Sequence, residues 1–137
     1  MKLARTNAVM PMPTSTETDT LGKEGYPVDA NSDGTVDLCA DAAGNPPFGV
    51  IILGATHPGK VTVAVAAGGL AGTVRVKLLQ AVTAPGALLK LVDSAGVIAF
   101  GPDTGTGARV VMAQAMETGA ANELIEAVLF KPIAYAS

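Results

Sequence analysis

The hydrophobic pattern of the chain is organised around one stretch. Phe48-Gly49-Val50-Ile51-Ile52-Leu53 is an apolar run, His57-Pro58-Gly59 is a break, and Lys60-Val61-Thr62-Val63-Ala64-Val65 alternates strictly. Successive side chains of a strand point to opposite faces. Val61, Val63 and Val65 therefore share one face, and Lys60, Thr62 and Ala64 the other. The β-branched residues suit a pleated, half-buried surface. The Pro-Gly break predicts that the two runs pair as a β-hairpin with a longer loop.

The same vocabulary recurs along the chain. Tyr26 to Asp41 predicts a hairpin whose tight turn uses Asp33-Gly34, because glycine accepts a positive φ without steric cost. Gly44-Asn45-Pro46-Pro47 closes it. From Thr73 to Leu79, Val74, Val76 and Leu78 are expected inward, with Thr73, Arg75 and Lys77 outward. Pro85-Gly86 turns the chain into an apolar strand over Ala87 to Val92. Asp93-Ser94-Ala95-Gly96 turns it again into Val97 to Phe100, and Gly101 to Gly107 reads as irregular. Arg109 to Met112 is a further strand candidate.

Residues 119–130 support two readings. Ala120, Ala121, Leu124, Ile125, Val128 and Leu129 recur at helical spacing, and Ala, Glu and Leu favour a helix. The position of the segment in an internal repeat favours a strand. Pro132 is expected to end the element in either case. The repeat runs as follows. Val28-Asp29, a turn at Gly34, Gly49-Val50-Ile51, Gly59 and Val61 to Val65 form the first copy. Val92-Asp93, a turn at Gly96, Arg109-Val110-Val111, Gly119 and Leu124 to Phe130 form the second. The expected fold is mainly β: a small β-sandwich or barrel of two hairpin-based units, with an extended N-terminal arm and room for one short helix.

The arm spans 1–25 and the β-rich body 26–137. Pro11 and Pro13 oppose a helix in the arm, and Thr14-Ser15-Thr16-Glu17-Thr18-Asp19-Thr20 offers little to bury. Such an arm either frays or becomes ordered on a neighbouring subunit. Met10 and Met12 fit the second reading, because exposed methionine suits an adaptable binding surface.

Composition narrows the function. Apolar residues make up 49% of the chain, which excludes a disordered protein, while aromatic residues make up only 4%, so the core is built from small side chains. The formal charge of -3 comes without a block of like charges and leaves no electrostatic footprint for nucleic acid or an anionic membrane. Val61 to Val74 is too short and too broken by glycine to span a bilayer. No apolar segment follows Lys2 and Arg5, which argues against a signal peptide. Cys39 is the only cysteine and reads as a small apolar filler.

Candidate chemistry is sparse. Asp29-Ala30-Asn31-Ser32-Asp33-Gly34-Thr35-Val36-Asp37 begins as an EF-hand-like calcium loop does, with oxygen ligands at alternate positions and then glycine. The twelfth position, however, is Ala40 where a bidentate carboxylate is needed. No calcium is therefore expected on Asp29, Asn31, Asp33 and Asp37. Gly68, Gly69 and Gly72 match no nucleotide fingerprint. His57, the sole histidine, is expected in a surface turn, and no nucleophile is set beside a base. The protein is not expected to be an enzyme, and no cofactor is expected.

Three patterns carry a resemblance. One is the order Gly turn, strand, loop, Phe48-Gly49-Val50, Gly loop, alternating strand. Another is Pro85-Gly86-Ala87-Leu88-Leu89-Lys90-Leu91-Val92-Asp93 followed by Gly96-Val97. The last is Val110 to Glu126, which reads VVMAQAMETGAANELIE. Together, over roughly Tyr26 to Phe130, the chain resembles the small phage capsid cement, or head decoration, proteins. That resemblance implies a β-rich fold and binding to the outer surface of an assembled icosahedral capsid, often around three-fold positions. It implies as partners the major capsid protein and neighbouring copies of the chain, and a place on the virion after synthesis in the bacterial cytoplasm. It brings no catalytic residues. The Thr-rich arm departs from the family pattern, and Lys2, Arg5, Met10 and Met12 are its expected capsid contacts. The alternative expectation is an adhesive or carbohydrate-binding β-module, with calcium on the Asp29 to Asp37 loop.

Overall fold

A computed structural model describes residues 9–14, 20–40, 47–54, 61–66 and 73–136. For 9–12 and 61–66 the description covers the backbone alone. Ten strands lie among these residues: β1 (Val9–Pro13), β2 (Pro27–Ala30), β3 (Val36–Leu38), β4 (Gly49–Leu53), β5 (Val61–Ala66), β6 (Val74–Lys77), β7 (Leu88–Ser94), β8 (Val97–Pro102), β9 (Arg109–Ala115) and β10 (Leu124–Tyr135). The chain is mainly β, and no helix occurs among the described residues.

The strands form two five-stranded sheets, ordered β1-β5-β4-β2-β3 and β6-β10-β9-β7-β8. Counted from its own first strand, each sheet has the same order. All named pairings are antiparallel. In each sheet one parallel bridge brings the outer strands together: Thr14 with Val36, and Leu78 with Phe100. Both members of the second bridge lie 64 residues after their counterparts (14 to 78, 36 to 100). The second sheet is thereby a nearly closed barrel. The two units expected from the repeat are these two sheets.

The alternation read from the sequence holds where side chains are described. Val74, Val76 and Leu78 are buried, while Thr73 and Arg75 are exposed. Together with Phe100, Met112 and Ile125 they fill the second barrel. Val50 and Cys39 of the first sheet belong to the same cluster, so the two sheets share one continuous core. Val28 and Ile51, with Leu38 and Phe48 against them, form a smaller cluster on the first sheet. Burying these aliphatic groups contributes on the order of 1.5–3 kcal/mol each.

Of the two readings of 119–130, the strand favoured by the repeat is the one the structure shows over 124–130. Ile125, Ala127 and Leu129 are buried and the residues between them are less so, a period of two that the helical spacing had masked. Pairing with β6 on one side and β9 on the other outweighs intrinsic helix propensity. Pro132 does not end the element. The register with β9 shifts between Leu129 and Ile133, and this irregularity takes up the residue that has no N–H to donate. The β2–β3 hairpin turns where expected: its loop spans 31–35 and contains Asp33 and Gly34, with the Gly34 N–H donating to the Asn31 carbonyl and Gly34 at φ +86°. Gly101 and Pro102 belong to β8.

The N-terminal segment is extended, but its described part lies on the protein's own body. β1 pairs with β5 from Val9↔Val65 to Pro13↔Val61. Proline at every second position suits this strand. A strand's successive N–H groups point to opposite edges, so Pro11 and Pro13 remove donors from one edge only and leave those of Met10 and Met12 on the other. Thr20 is fully buried, and its carbonyl packs so closely on Gly54 that no side chain would fit there. The Pro46, His57 and Gly68 loops, with Lys2 and Arg5, lie outside the described residues.

Candidate interaction surface

Of the four expected contact residues, Met10 and Met12 lie in β1, opposite Ala64 and Thr62 of β5. This places their backbone positions within the first sheet.

A second surface was not visible in the sequence reading. β10 continues past Pro132, and its last residues pair with β9 as Ile133↔Val111, Ala134↔Val110 and Tyr135↔Arg109. Val110 and Met112 point into the barrel core, so Val111 between them faces outward. It is nevertheless buried, because the groove of about 490 Å³ that it floors is walled by Leu88 of β7 and by Phe130, Pro132, Ile133 and Tyr135 of β10. Leu88, Ile133 and Tyr135 remain 44%, 47% and 40% exposed, which makes the groove an open apolar face on a rigid sheet. Lys131 stands exposed among them. The available signal was the apolar run Phe130 to Tyr135 itself, which a proline in its middle concealed.

One ion pair fixes the edge of this face. Arg109 Nε donates to Asp103 Oδ1 at 2.6 Å, and the two side chains are almost fully buried. Arg109 also donates to the Gly107 carbonyl. Its guanidinium lies 4.2 Å from the centre of the Tyr135 ring, which sets that ring by a cation–π contact. The loop between β8 and β9 is thus pinned under the last residues of β10.

The acidic loop is organised by internal hydrogen bonds. Asp33 Oδ1 accepts from the Thr35 hydroxyl and the Thr35 N–H, which holds its carboxyl below the usual carboxylate range. Asn31 Nδ2 donates to Thr35 Oγ1 and to Asp37 Oδ2, both at 2.9 Å. Asp29 Oδ2 accepts from the Ala40 N–H. These side chains serve as turn-forming groups. Among the described residues, no group of three or more His, Cys, Asp and Glu is placed to hold a metal ion, and no helix is long and apolar enough to cross a membrane. No protein-family model matches the chain, and no curated protein matches it.

Proposed function

We propose that this is a structural virion protein that binds the outer surface of an assembled phage capsid and stabilises it, without chemistry of its own. The observation that supports this most is the apolar face of Leu88, Phe130, Ile133 and Tyr135. These are large, weakly charged contacts carried on a doubled β body with a continuous core. The proposed partners are the major capsid protein, reached by this face and by the arm residues Lys2, Arg5, Met10 and Met12, and neighbouring copies of the chain. Whatever binds only the assembled shell stabilises that shell by mass action. Repetition over the lattice multiplies modest individual contacts.

The test mixes purified protein with undecorated mature capsids built from the major capsid protein encoded with it. Decorated and bare particles are then heated side by side. Saturable attachment with a raised disruption temperature is the expected result. No attachment, or attachment with an unchanged disruption temperature, overturns the reading.

A further inference from the structure

We infer that Asp33-Gly34 is a site of spontaneous backbone isomerisation, from an aspartyl to an isoaspartyl linkage, and that Thr35 is the residue that holds it in check. Neither half of this rests on capsid binding.

Asp-Gly occurs once in the chain and Asn-Gly nowhere. The reaction favours that pair because glycine has no Cβ to shield its own nitrogen. The Gly34 nitrogen attacks Asp33 Cγ. An N–Cγ bond forms, the bond from Cγ to the acid hydroxyl breaks, and the hydroxyl leaves as water with the amide proton. The product is a five-membered succinimide, which water reopens. Attack at Cγ restores aspartate. Attack at the main-chain carbonyl leaves the chain running through Cβ and Cγ. One water is lost and one regained, with no oxidation.

The β2–β3 loop presents this pair without cover. Asp33 and Gly34 are exposed, and a Cβ on Gly34 would meet nothing within 4 Å. The restraint is local. Asp33 Oδ1 accepts from the Thr35 hydroxyl at 2.7 Å and from the Thr35 N–H at 3.0 Å. Both bonds favour the ionised carboxylate, whose oxygen cannot leave as water. Asn31 Nδ2 donates to Thr35 Oγ1 and steadies that hydroxyl. The nucleophile is engaged too, since the Gly34 N–H donates to the Asn31 carbonyl at 3.1 Å. Cyclisation must break a bond on each side, and Thr35 supplies those on the carboxylate.

Two other turns act as internal controls. Asp93 and Asp103 accept from the N–H groups of Gly96 and Gly105. They are followed by Ser94 and Thr104, whose Cβ atoms crowd the attacking nitrogen. Isomerisation at Asp33 would add one atom to the main chain just ahead of Val36. That residue is fully buried and carries the bridge to Thr14, so the restraint protects the closure of the first sheet.

The experiment ages the full chain at neutral pH, folded in buffer and unfolded in guanidinium chloride, beside folded Thr35→Val and Thr35→Ser. Peptide mapping with electron-transfer fragmentation measures isoaspartate at positions 33, 93 and 103. The expected result is accumulation at position 33 in the unfolded chain and at least about tenfold slower accumulation in the folded one. Thr35→Val, which keeps the main-chain bond and loses the hydroxyl, should gain at least about threefold over folded wild type. Thr35→Ser keeps the hydroxyl and should track wild type. No isoaspartate at position 33 of the unfolded chain overturns the site, as does equally fast formation at 93 or 103. Equal rates in folded and unfolded wild type, or in folded Thr35→Val and wild type, overturn the restraint. The folded and unfolded wild type are compared without any variant, so a Thr35→Val chain that fails to fold leaves the test decisive.

Discussion

Lys77 donates its backbone N–H to the carbonyl of Gly25 at 3.0 Å, and Gly25 donates its own N–H to Ile51 at 2.7 Å. One glycine thus joins β4 of the first sheet to β6 of the second. It has φ +86°, and a Cβ placed on it would lie 2.6 Å from both the Lys77 nitrogen and Leu124 Cδ2.

Gly34 has the same φ with nothing within 4 Å, so it isolates the conformational part of the cost. Gly34→Ala is expected to destabilise by roughly 1–2 kcal/mol from the left-handed backbone alone. Gly25→Ala adds about 1–3 kcal/mol of overpacking at the seam. Urea denaturation of both variants measures the difference. Equal midpoints would show that the seam relaxes without cost.

Arg109 and Asp103 form a second joint. Arg109→Met leaves the Asp103 carboxylate nearly buried without its partner and is expected to cost about 3 kcal/mol. The double variant Arg109→Met/Asp103→Leu should recover a good part of this, because no charge is then stranded. The midpoint of urea unfolding at unchanged slope is the readout. A double variant as unstable as the sum of the two single variants would assign the cost to lost packing under Tyr135.

How much of this was legible depended on how local the signal was. Val74-Arg75-Val76-Lys77-Leu78 declared its strand and both its faces, because period-two burial is written in five adjacent residues. The repeat was readable from Val28-Asp29 and Val92-Asp93. The closing bridges Thr14–Val36 and Leu78–Phe100 were not, since nothing in a sequence marks which distant residues meet. Leu124 to Leu129 satisfies both helical and strand spacing, and only its two neighbouring strands decide between them. Pro132 misled because its cost depends on whether its nitrogen faces a partner. The β10 face was missed for that reason, and Arg109 gained its role only once the fold set it against Asp103 and Tyr135.

The acidic loop makes a prediction in pH and in calcium. Hydrogen bonds from Thr35 lower the Asp33 pKa. Removing the hydroxyl by Thr35→Val should raise it toward the ordinary value, as followed by the Asp33 carboxyl carbon in an NMR titration. The sign is that of a depressed carboxylate. Its contribution to stability is complete above the unfolded-state pKa and is lost as pH falls through the lower folded-state value. Asp33 is fully exposed, so the change is confined to the acid end and is small. Calcium up to about millimolar, the weak end for extracellular modules, should leave the Asn31 and Thr35 amide signals unmoved. Tighter binding would favour the adhesive alternative.

The last prediction concerns the face itself. Ile133 is about half exposed and opposes Val111 across the β9–β10 pair. Ile133→Glu therefore changes the outer surface without opening a cavity in the barrel, and its effect on folding should stay near 0.5 kcal/mol. Its effect on capsid attachment should be much larger. An apolar side chain at the centre of a contact is worth 1–2 kcal/mol or more, and a buried unpaired carboxylate adds a penalty, so attachment should weaken at least about tenfold. Lys131→Gln is the companion variant. If the contact is made by Leu88, Ile133 and Tyr135 and not by charge, removing Lys131 should change attachment little. Raising the salt from about 0.1 M to 1 M, which shortens the screening length from about 10 Å to 3 Å, should also leave attachment nearly constant. Ion-pair docking predicts the reverse on both counts: a large loss with Lys131→Gln and steep weakening with salt. Sedimentation of capsids with bound protein measures each case, and thermal unfolding of the free variants confirms that the body is intact. Unimpaired attachment of Ile133→Glu would move the capsid contact off this face and back to the N-terminal arm.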